Sequence, residues 1–247
     1  APPPCAASTV CVRFDTSGNT GTRPRLACSQ GAGDDMNNQS RRGVLAGGLA
    51  LGLVGGVAHS EEPLPTTPPL ELGPFYPVLK PVDTDADLTR LPGRRGRAQG
   101  EVIQLTCRMV DQRGRPIVGG RVELWQCNAA GRYDHPADTN TAALDPGFQG
   151  FAQLRTDRAG EFQITTIKPA PYPAGPGWMR APHIHMDAIG TSARGTYQMM
   201  FDDPLLSQDR VVTPLSREEL AQTLARPLSR GADGVARFAW TLVMLEG

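Results

Sequence analysis

The chain has 247 residues, and its 25 basic residues balance 25 acidic ones. This balance gives no support to binding of nucleic acid or of an anionic membrane surface, both of which favour clustered positive charge. Glycine (28) and proline (23) are abundant and aromatic residues make up 6% of the chain, a composition typical of many short strands joined by turns.

An export signal is indicated by SRRGVLAGGLALGLVGGVAHS, residues 40–60. Arg41 and Arg42 precede a short glycine-rich apolar run, and the small residues Ala58 and Ser60 follow it as a cleavage site. The S-R-R-x-V-L core resembles a twin-arginine signal. A membrane-spanning helix needs roughly 20 strongly apolar residues, which this run does not provide. We therefore expect a periplasmic or secreted protein with no stable membrane anchor.

The segment before this signal has no usable periodicity. Because Met36 lies just upstream of the arginine pair, we interpret residues 1–35 as a non-native leader upstream of the true translation start. Residues 36–60 are then the twin-arginine signal peptide, and residues 61–247 are the mature domain. A peptide from residues 1–35 recovered from the precursor would contradict this interpretation.

The five cysteines include no C-x-x-C pair, which argues against a zinc ribbon or a thioredoxin-like motif. Cys107 and Cys127 lie in the predicted domain. Export to an oxidising compartment would allow a disulfide between them. The alternative is that both are small buried apolar residues.

Strand periodicity begins at residue 102, after a proline-rich extended segment at residues 61–70. Alternate residues of VIQLTCRMV share one face, which is the pattern of a half-buried strand. The residues on that face are Ile103, Leu105, Cys107 and Met109. The next strand, RVELWQCN, places Val122, Leu124 and Gln126 opposite Glu123, Trp125 and Cys127.

Later segments show the same alternation. FAQLRT and EFQITTI flank the short glycine-containing loop DRAG, which predicts a hairpin. HIHMDAI, TYQMMF and RFAWTLVML alternate as well. One helix is predicted over SREELAQTLAR, because Ser216 and Glu219 form a capping-box pattern before Leu220 and Leu224. The predicted fold is an all-β sandwich of mostly antiparallel strands with long loops and one short C-terminal helix.

Two of the four histidines, His183 and His185, are one residue apart in RAPHIHM. Residues i and i+2 of a strand point to the same face, so these imidazoles are expected to form half of a metal site. The proline-rich segment before them contains Tyr172, and Tyr133 follows the RVELWQCN strand. Tyrosine loses its proton only to a strongly Lewis-acidic ion, because its free pKa is about 10. Two tyrosinates with two imidazoles suit Fe(III) better than Zn(II) or Cu(I).

Four motifs occur in one order: GPFYP (73–77), GRPIVGGRVELWQCNAAGRYDHP (114–136), TIKPAPYP (166–173) and RAPHIHM (180–186). Together they resemble the intradiol ring-cleavage dioxygenases, most of all the beta subunit of the protocatechuate 3,4-dioxygenase branch. The resemblance runs from about residue 71 to residue 204 and is looser beyond it. Several separate motifs with the right residue types make it specific.

The resemblance implies a non-haem Fe(III) bound by Tyr133, Tyr172, His183 and His185. It makes Tyr133 and His183 equatorial ligands. Tyr172 and His185 are then axial, and Tyr172 is the ligand displaced when a catecholate binds. The arginine before the histidines matches Arg180, whose implied role is to lie over the substrate ring and stabilise developing negative charge.

Four further residues have expected positions. By the same resemblance, Gln198 matches a catalytic glutamine in the strand after the histidines. Tyr76 is expected to lie near the mouth of the site and to contact substrate. We interpret Trp125 as a core residue rather than a substrate wall. His135 is interpreted as a surface or supporting residue on a loop rather than a ligand.

The implied reaction opens a catechol-type aromatic diol between its hydroxylated carbons with O2 and gives a cis,cis-muconate-type diacid. The expected partners are therefore a small aromatic diol and O2, and no nucleic acid. Both a homo-oligomer and a complex with an unlike subunit are compatible with the resemblance. Loops that would recognise a substrate carboxylate are not evident in the sequence, so the decoration of the ring stays open.

Two alternatives remain. GRPIVGGRVELW also resembles prealbumin-like modules, which would make the chain a non-catalytic exported β-sandwich that binds a ligand. The H-x-H pair alone would also suit a copper-binding protein. Neither alternative needs two tyrosines close to the histidines, so the positions of Tyr133 and Tyr172 discriminate among the three hypotheses.

Overall fold

The fold is that of a computed structural model, which describes residues 62–81 and 85–245. The leader, the signal peptide and the start at Met36 lie outside the described residues. Within the described ranges no helix has the length and apolar character needed to cross a membrane.

Strands dominate the described part of the chain. They are β1 Val102–Asp111, β2 Arg121–Trp125, β3 Phe151–Arg155, β4 Glu161–Ile167, β5 Tyr172–Gly175, β6 Trp178–Arg180, β7 His183–Ile189, β8 Arg194–Met200, β9 Arg226–Pro227 and β10 Ala236–Met244. A 3-10 helix covers Pro204–Ser207, and helix α1 covers Arg217–Thr223.

Two four-stranded sheets pack face to face. The first has the order β4-β1-β10-β9, and the second has the order β3-β2-β7-β8. All pairings are antiparallel except that of β1 with β10, which is parallel. The prediction of an all-β sandwich of mostly antiparallel strands is therefore confirmed.

The main core lies between the sheets and contains the predicted inner face of β1. Its four residues, Ile103, Leu105, Cys107 and Met109, are fully buried. Burial of apolar surface stabilises the folded state by roughly 25 cal/mol per Å² removed from water. The alternating apolar residues of β1 therefore favour the orientation in which their shared face lies against the core.

Strand β2 is buried on both faces, which is what positions the site. Val122 and Leu124 face the main core. Trp125 faces the other way, into a second cluster that also contains Tyr133 and Tyr172. The site therefore lies on the outer face of the second sheet.

The two described cysteines are free and buried in different clusters. Cys107 belongs to the main core, and the Sγ atom of Cys127 donates to the carbonyl oxygen of Ala170 at 3.3 Å. Burial raises the pKa of the Cys127 thiol to about 12. The structure therefore supports the interpretation of Cys107 and Cys127 as small buried apolar residues and not as a disulfide.

The predicted hairpin around DRAG is wrong. Strand β3 pairs with β2 in the second sheet, whereas β4 pairs with β1 in the first, so the loop crosses between sheets. Thr156 holds this corner by donating to the carbonyl oxygen of Ile117 at 2.5 Å. Gly160 has a φ of +74°, and a β-carbon there would lie 2.5 Å from the carbonyl oxygen of Met109. A short glycine loop suits a hairpin and a sheet-crossing corner equally, so its sequence does not distinguish them.

The predicted helix is confirmed, together with its capping box. Ser216 accepts from the backbone N–H of Glu219 at 3.2 Å, and the Glu219 carboxylate accepts from the backbone N–H of Ser216 at 2.8 Å. Leu220 and Leu224 pack this short helix against a small apolar cluster beside β8.

Candidate metal centre

His183 and His185 point to the same side of β7, while Ile184 and Met186 between and beyond them face the main core. Both imidazoles are 1% exposed, and their Nε2 atoms are 3.2 Å apart. The Nδ1 atom of His183 lies 2.6 Å from the carbonyl oxygen of Ala181. A carbonyl only accepts, so Nδ1 holds the proton and Nε2 presents a lone pair to the site.

Tyr172 reaches the histidines from a small hairpin formed by β5 and β6, in which it pairs with Arg180. Its hydroxyl lies 3.4 Å from Nε2 of His183. Because β6 leads directly into β7, one short stretch of chain delivers both the tyrosine and the histidine pair. The sequence indicates a stiff proline-rich segment that contains Tyr172, and the hairpin itself is a finding of the structure.

Tyr133 lies on the loop that follows β2, and a close contact of two loops sets its position. Gly131 has a φ of +75°, and a β-carbon there would lie 2.7 Å from the carbonyl oxygen of Pro171. The backbone N–H of Tyr133 donates to Asp138 at 2.7 Å. The Tyr133 and Tyr172 rings meet edge to face, with centroids 5.4 Å apart.

Aromatic neighbours fix the orientation of these four rings. Trp125 stacks on His185 with centroids 4.9 Å apart and planes 6° from parallel. Phe75 lies 4.7 Å from the Tyr133 ring and 6.1 Å from the Tyr172 ring. Trp125 is thus a buried residue, as predicted, and its ring is the surface against which an imidazole rests.

The burial of the four side chains opposes their charged forms. Burial lowers the pKa of His183 to about 3 and holds the pKa of His185 well below its usual value. Burial also raises the pKa of Tyr172 to about 12 and that of Tyr133 well above its usual value. The imidazoles are therefore neutral and able to bind a cation, and the phenols need a strong Lewis acid to ionise.

The donor set fits a ferric ion. Among the described residues, the Tyr133 hydroxyl is one of five buried side-chain nitrogen or oxygen atoms without a hydrogen-bond partner. Orphaned polar atoms of this kind are rare in a folded protein unless a ligand or ion satisfies them. In the part of the chain that the structure describes, no three His, Cys, Asp or Glu side chains cluster so as to hold a metal ion. Any metal here therefore needs the tyrosine oxygens, which are hard ligands suited to Fe(III).

Arg180 lies beside Tyr172 and is 2% exposed. Its Nε donates to both carboxylate oxygens of Asp209 at 3.0 Å, and its Nη2 donates to Oε1 of Gln198. Gln198 in turn donates to the carbonyl oxygen of Glu71 at 2.9 Å. Arg180 and Gln198, to which the resemblance gives catalytic roles, thus contact each other.

Tyr76 is half-buried and packs edge to face on Trp125, with centroids 5.0 Å apart. Its hydroxyl donates to Glu123, which also accepts from Lys80 at 2.8 Å. A contact between Tyr76 and substrate stays a prediction. His135 is half-buried on its loop, and its Nδ1 accepts from the backbone N–H of Ala137 at 3.1 Å.

A cleft of about 700 Å³ opens beside the four rings, and we call it the Tyr172 cleft. Both Tyr172 and Arg180 line it, and Phe75 and Trp178 form apolar parts of its wall. Tyr133 is not among its lining residues. A ring entering the cleft therefore meets Tyr172 before the other three candidate ligands.

Two contributors to the site were not predicted from the sequence. Asp209 is fully buried and orients Arg180. Phe75 contacts the rings of Tyr133 and Tyr172. It precedes Tyr76 in the sequence, and Tyr76 was the residue predicted to contact substrate. The GPFYP motif marked this segment but not which of its two aromatic rings faces the tyrosines.

Comparison with known proteins gives consistent matches. A family model described as Dioxygenase matches residues 72–246. The protocatechuate 3,4-dioxygenase beta chain of Burkholderia cepacia is 40% identical over 146 residues, which are 57% of this chain and 62% of that protein. The protocatechuate 3,4-dioxygenase alpha chain of Pseudomonas putida is 29% identical over 150 residues, 58% of this chain and 72% of that protein. The match thus spans less than two thirds of the beta chain's length.

Solved structures share the fold at low sequence identity. The 3-chlorocatechol 1,2-dioxygenase of Rhodococcus opacus 1CP superposes with a TM-score of 0.57 and 22% identity. The superposition covers 77% of this chain and 75% of that one. This likeness supports the sandwich architecture independently of the four sequence motifs.

Proposed function

The chain belongs to the intradiol ring-cleavage dioxygenase family, and we propose that it is a non-haem Fe(III) enzyme that opens a catechol-type diol between its hydroxylated carbons with O2. The observation that carries this proposal is the convergence of Tyr133, Tyr172, His183 and His185. These four side chains come from a loop and two strands and meet beside a cleft.

The proposed ligands are Tyr133, Tyr172, His183 and His185, and a ferric ion bound there would supply Lewis acidity that ionises the diol and activates its ring toward O2. Tyr172 lines the cleft, so among the four proposed ligands it would be the nearest to an arriving diol, and its Oη would accept a diol proton. Arg180 places a cation at the cleft wall, where it stabilises negative charge that develops on the substrate. Phe75 and Trp178 exclude water from the ring.

The reaction balances without an external reductant. The carbon–carbon bond between the two hydroxylated carbons breaks, both atoms of O2 enter the product, and the ring supplies all the electrons. Catechol plus O2 therefore gives cis,cis-muconate and protons only.

The test is oxygen uptake by the iron-loaded protein with catechol, together with mass analysis of the product. We expect one O2 consumed per catechol and, from ¹⁸O2, two labelled oxygens in a cis,cis-muconate-type diacid. Absence of uptake with every diol tried, or a product opened outside the two hydroxyls, would contradict the proposal.

The alternatives are less well supported. A non-catalytic β-sandwich module has no need for two buried tyrosines beside a histidine pair. A copper-binding protein would use the two imidazoles but not two phenol oxygens that burial keeps protonated.

We also propose export through the twin-arginine signal of residues 36–60, which would give a periplasmic or secreted enzyme. Support comes from the S-R-R-x-V-L core and the apolar run alone. Replacing Arg41 and Arg42 by lysine should retain the protein inside the cell. Similarity to both an alpha and a beta chain supports a further proposal, assembly with an unlike subunit or with a second copy.

A further inference from the structure

The wall of the Tyr172 cleft has a distinctive charge distribution. Among the described residues that line it, Arg180 is the only cation, while Glu71 and Asp138 are acidic. The rest of the wall is apolar or carries uncharged hydroxyl and amide groups, as in Thr139 and Asn140. A bound ring therefore meets neutral or negative wall groups except at Arg180.

The charge of Arg180 is already matched. Its Nε donates to both oxygens of Asp209 at 3.0 Å, and both side chains are almost completely buried. Its Nη2 donates to Gln198. An arginine held in this way beside Tyr172 has its direction fixed, so its charge serves the diol that reaches Tyr172 and does not follow a substituent elsewhere on the ring.

Two further arginines lie near the cleft without lining it. Arg132 has its Nε 3.8 Å from Asp138. Arg210 is exposed, and its guanidinium lies over the Trp178 ring, 5.5 Å from the centroid. Neither belongs to the cleft wall: Arg132 is close to Asp138, and Arg210 rests on the Trp178 ring. An anionic ring substituent directed away from Arg180 would therefore lose water without gaining a cation, which costs binding free energy.

We propose that the diol cleaved here carries no negatively charged ring substituent: it is catechol itself or a catechol with alkyl, hydroxyl or halogen groups. This inference rests on the proposed function and specifies its substrate class. Protocatechuate, the compound in the name of the 40%-identical beta chain, carries a carboxylate on the ring. The inference therefore excludes protocatechuate as the preferred substrate of this chain.

The first experiment compares 4-methylcatechol with protocatechuate at neutral pH, because the two differ by a methyl group in place of a carboxylate. We expect kcat/KM for 4-methylcatechol to exceed that for protocatechuate by at least about tenfold. Anaerobic titration followed by tryptophan fluorescence should show the same order of affinity without turnover. Equal or better use of protocatechuate overturns the inference and leaves the proposed function intact. Failure of all diols, catechol included, rejects the proposed function instead.

The second experiment places a cation in the cleft. Ala174 lines the cleft, is exposed and follows Tyr172 by two residues. Ala174→Lys should raise the kcat/KM ratio of protocatechuate to 4-methylcatechol by about fivefold or more. Ala174→Met, which adds similar bulk without charge, should leave that ratio near its original value. The same change in both variants, or no change in Ala174→Lys, overturns the electrostatic basis of the inference.

Discussion

Arg180 and Asp209 form an ion pair whose side chains are only 3% and 0% exposed. Asp209 also accepts from the backbone N–H groups of Ala181 at 2.9 Å and Val211 at 3.1 Å. The carboxylate therefore ties the segment after β8 to the start of β7. It holds the guanidinium at the cleft wall beside Tyr172.

Asp209→Asn should destabilise the protein and slow turnover. It leaves the Arg180 cation buried without its counter-charge, and breaking a buried pair in this way costs about 3–5 kcal/mol. Denaturant unfolding measures the loss, and kcat with catechol measures the effect on the site. The control is Arg230→Met, which breaks the ion pair of an exposed arginine with the exposed Glu101 and should cost about 0–1 kcal/mol. Equal losses from the two variants would contradict the assigned role of Asp209.

Gly131→Ala should disturb the contact between the two loops that position the tyrosines. The new β-carbon would lie 2.7 Å from the carbonyl oxygen of Pro171 and 3.1 Å from Cβ of Tyr172. We expect weaker iron retention and a loss of stability of about 2–3 kcal/mol. The matched control is Gly119→Ala, because Gly119 has a φ of +72° and open space around it. That variant has only the backbone strain, about 1 kcal/mol, and should keep its iron.

Glu123→Gln should lower stability in a pH-dependent way. Burial alone would raise the pKa of Glu123, but hydrogen bonds from Lys80 and Tyr76 bring it below its usual value. A lowered folded-state pKa means that the carboxylate stabilises the protein above its unfolded pKa of about 4.5, and this contribution is lost as the pH falls further. The stability gap between wild type and variant should therefore be full at pH 7 and narrow below pH 4.5. A gap that does not change with pH would argue against an ionised Glu123.

Removal of a single tyrosine hydroxyl tests the donor set. Tyr133→Phe and Tyr172→Phe should each bind iron more weakly, because each loses one of the four proposed ligands. Iron content after dialysis against a chelator is the measurement. Tyr76→Phe is the control, since its hydroxyl donates to Glu123 and is not a proposed ligand. Loss of iron from Tyr76→Phe to the same extent would show that the assay reports damage to the fold.

Local patterns predicted local structure well. The alternation in β1 and the Ser216–Glu219 capping box both reappear in the structure, because each depends on residues a few positions apart. Which sheet a strand joins depends on distant partners, and the DRAG loop gave no information on this. The β5–β6 hairpin was hidden for a related reason: prolines at residues 171 and 173 argue against a strand, yet a two-stranded edge tolerates them.

The site shows the same division. The H-x-H spacing and the tyrosine motifs identified four residues that the structure brings together. Asp209 had no local signal, since an aspartate in a loop has the same appearance in sequence whether it caps a turn or holds an arginine. Its role emerges only from packing between segments 29 residues apart.

The measurement that tests the central claim most directly is the visible absorption spectrum of the iron-loaded protein, recorded before and after anaerobic addition of catechol. If Tyr133, Tyr172, His183 and His185 bind one ferric ion, tyrosinate-to-iron charge transfer makes the protein wine-red, and catechol shifts the band as it displaces Tyr172. A colourless protein that retains no iron after careful reconstitution, or a band that catechol leaves unchanged, would contradict the account.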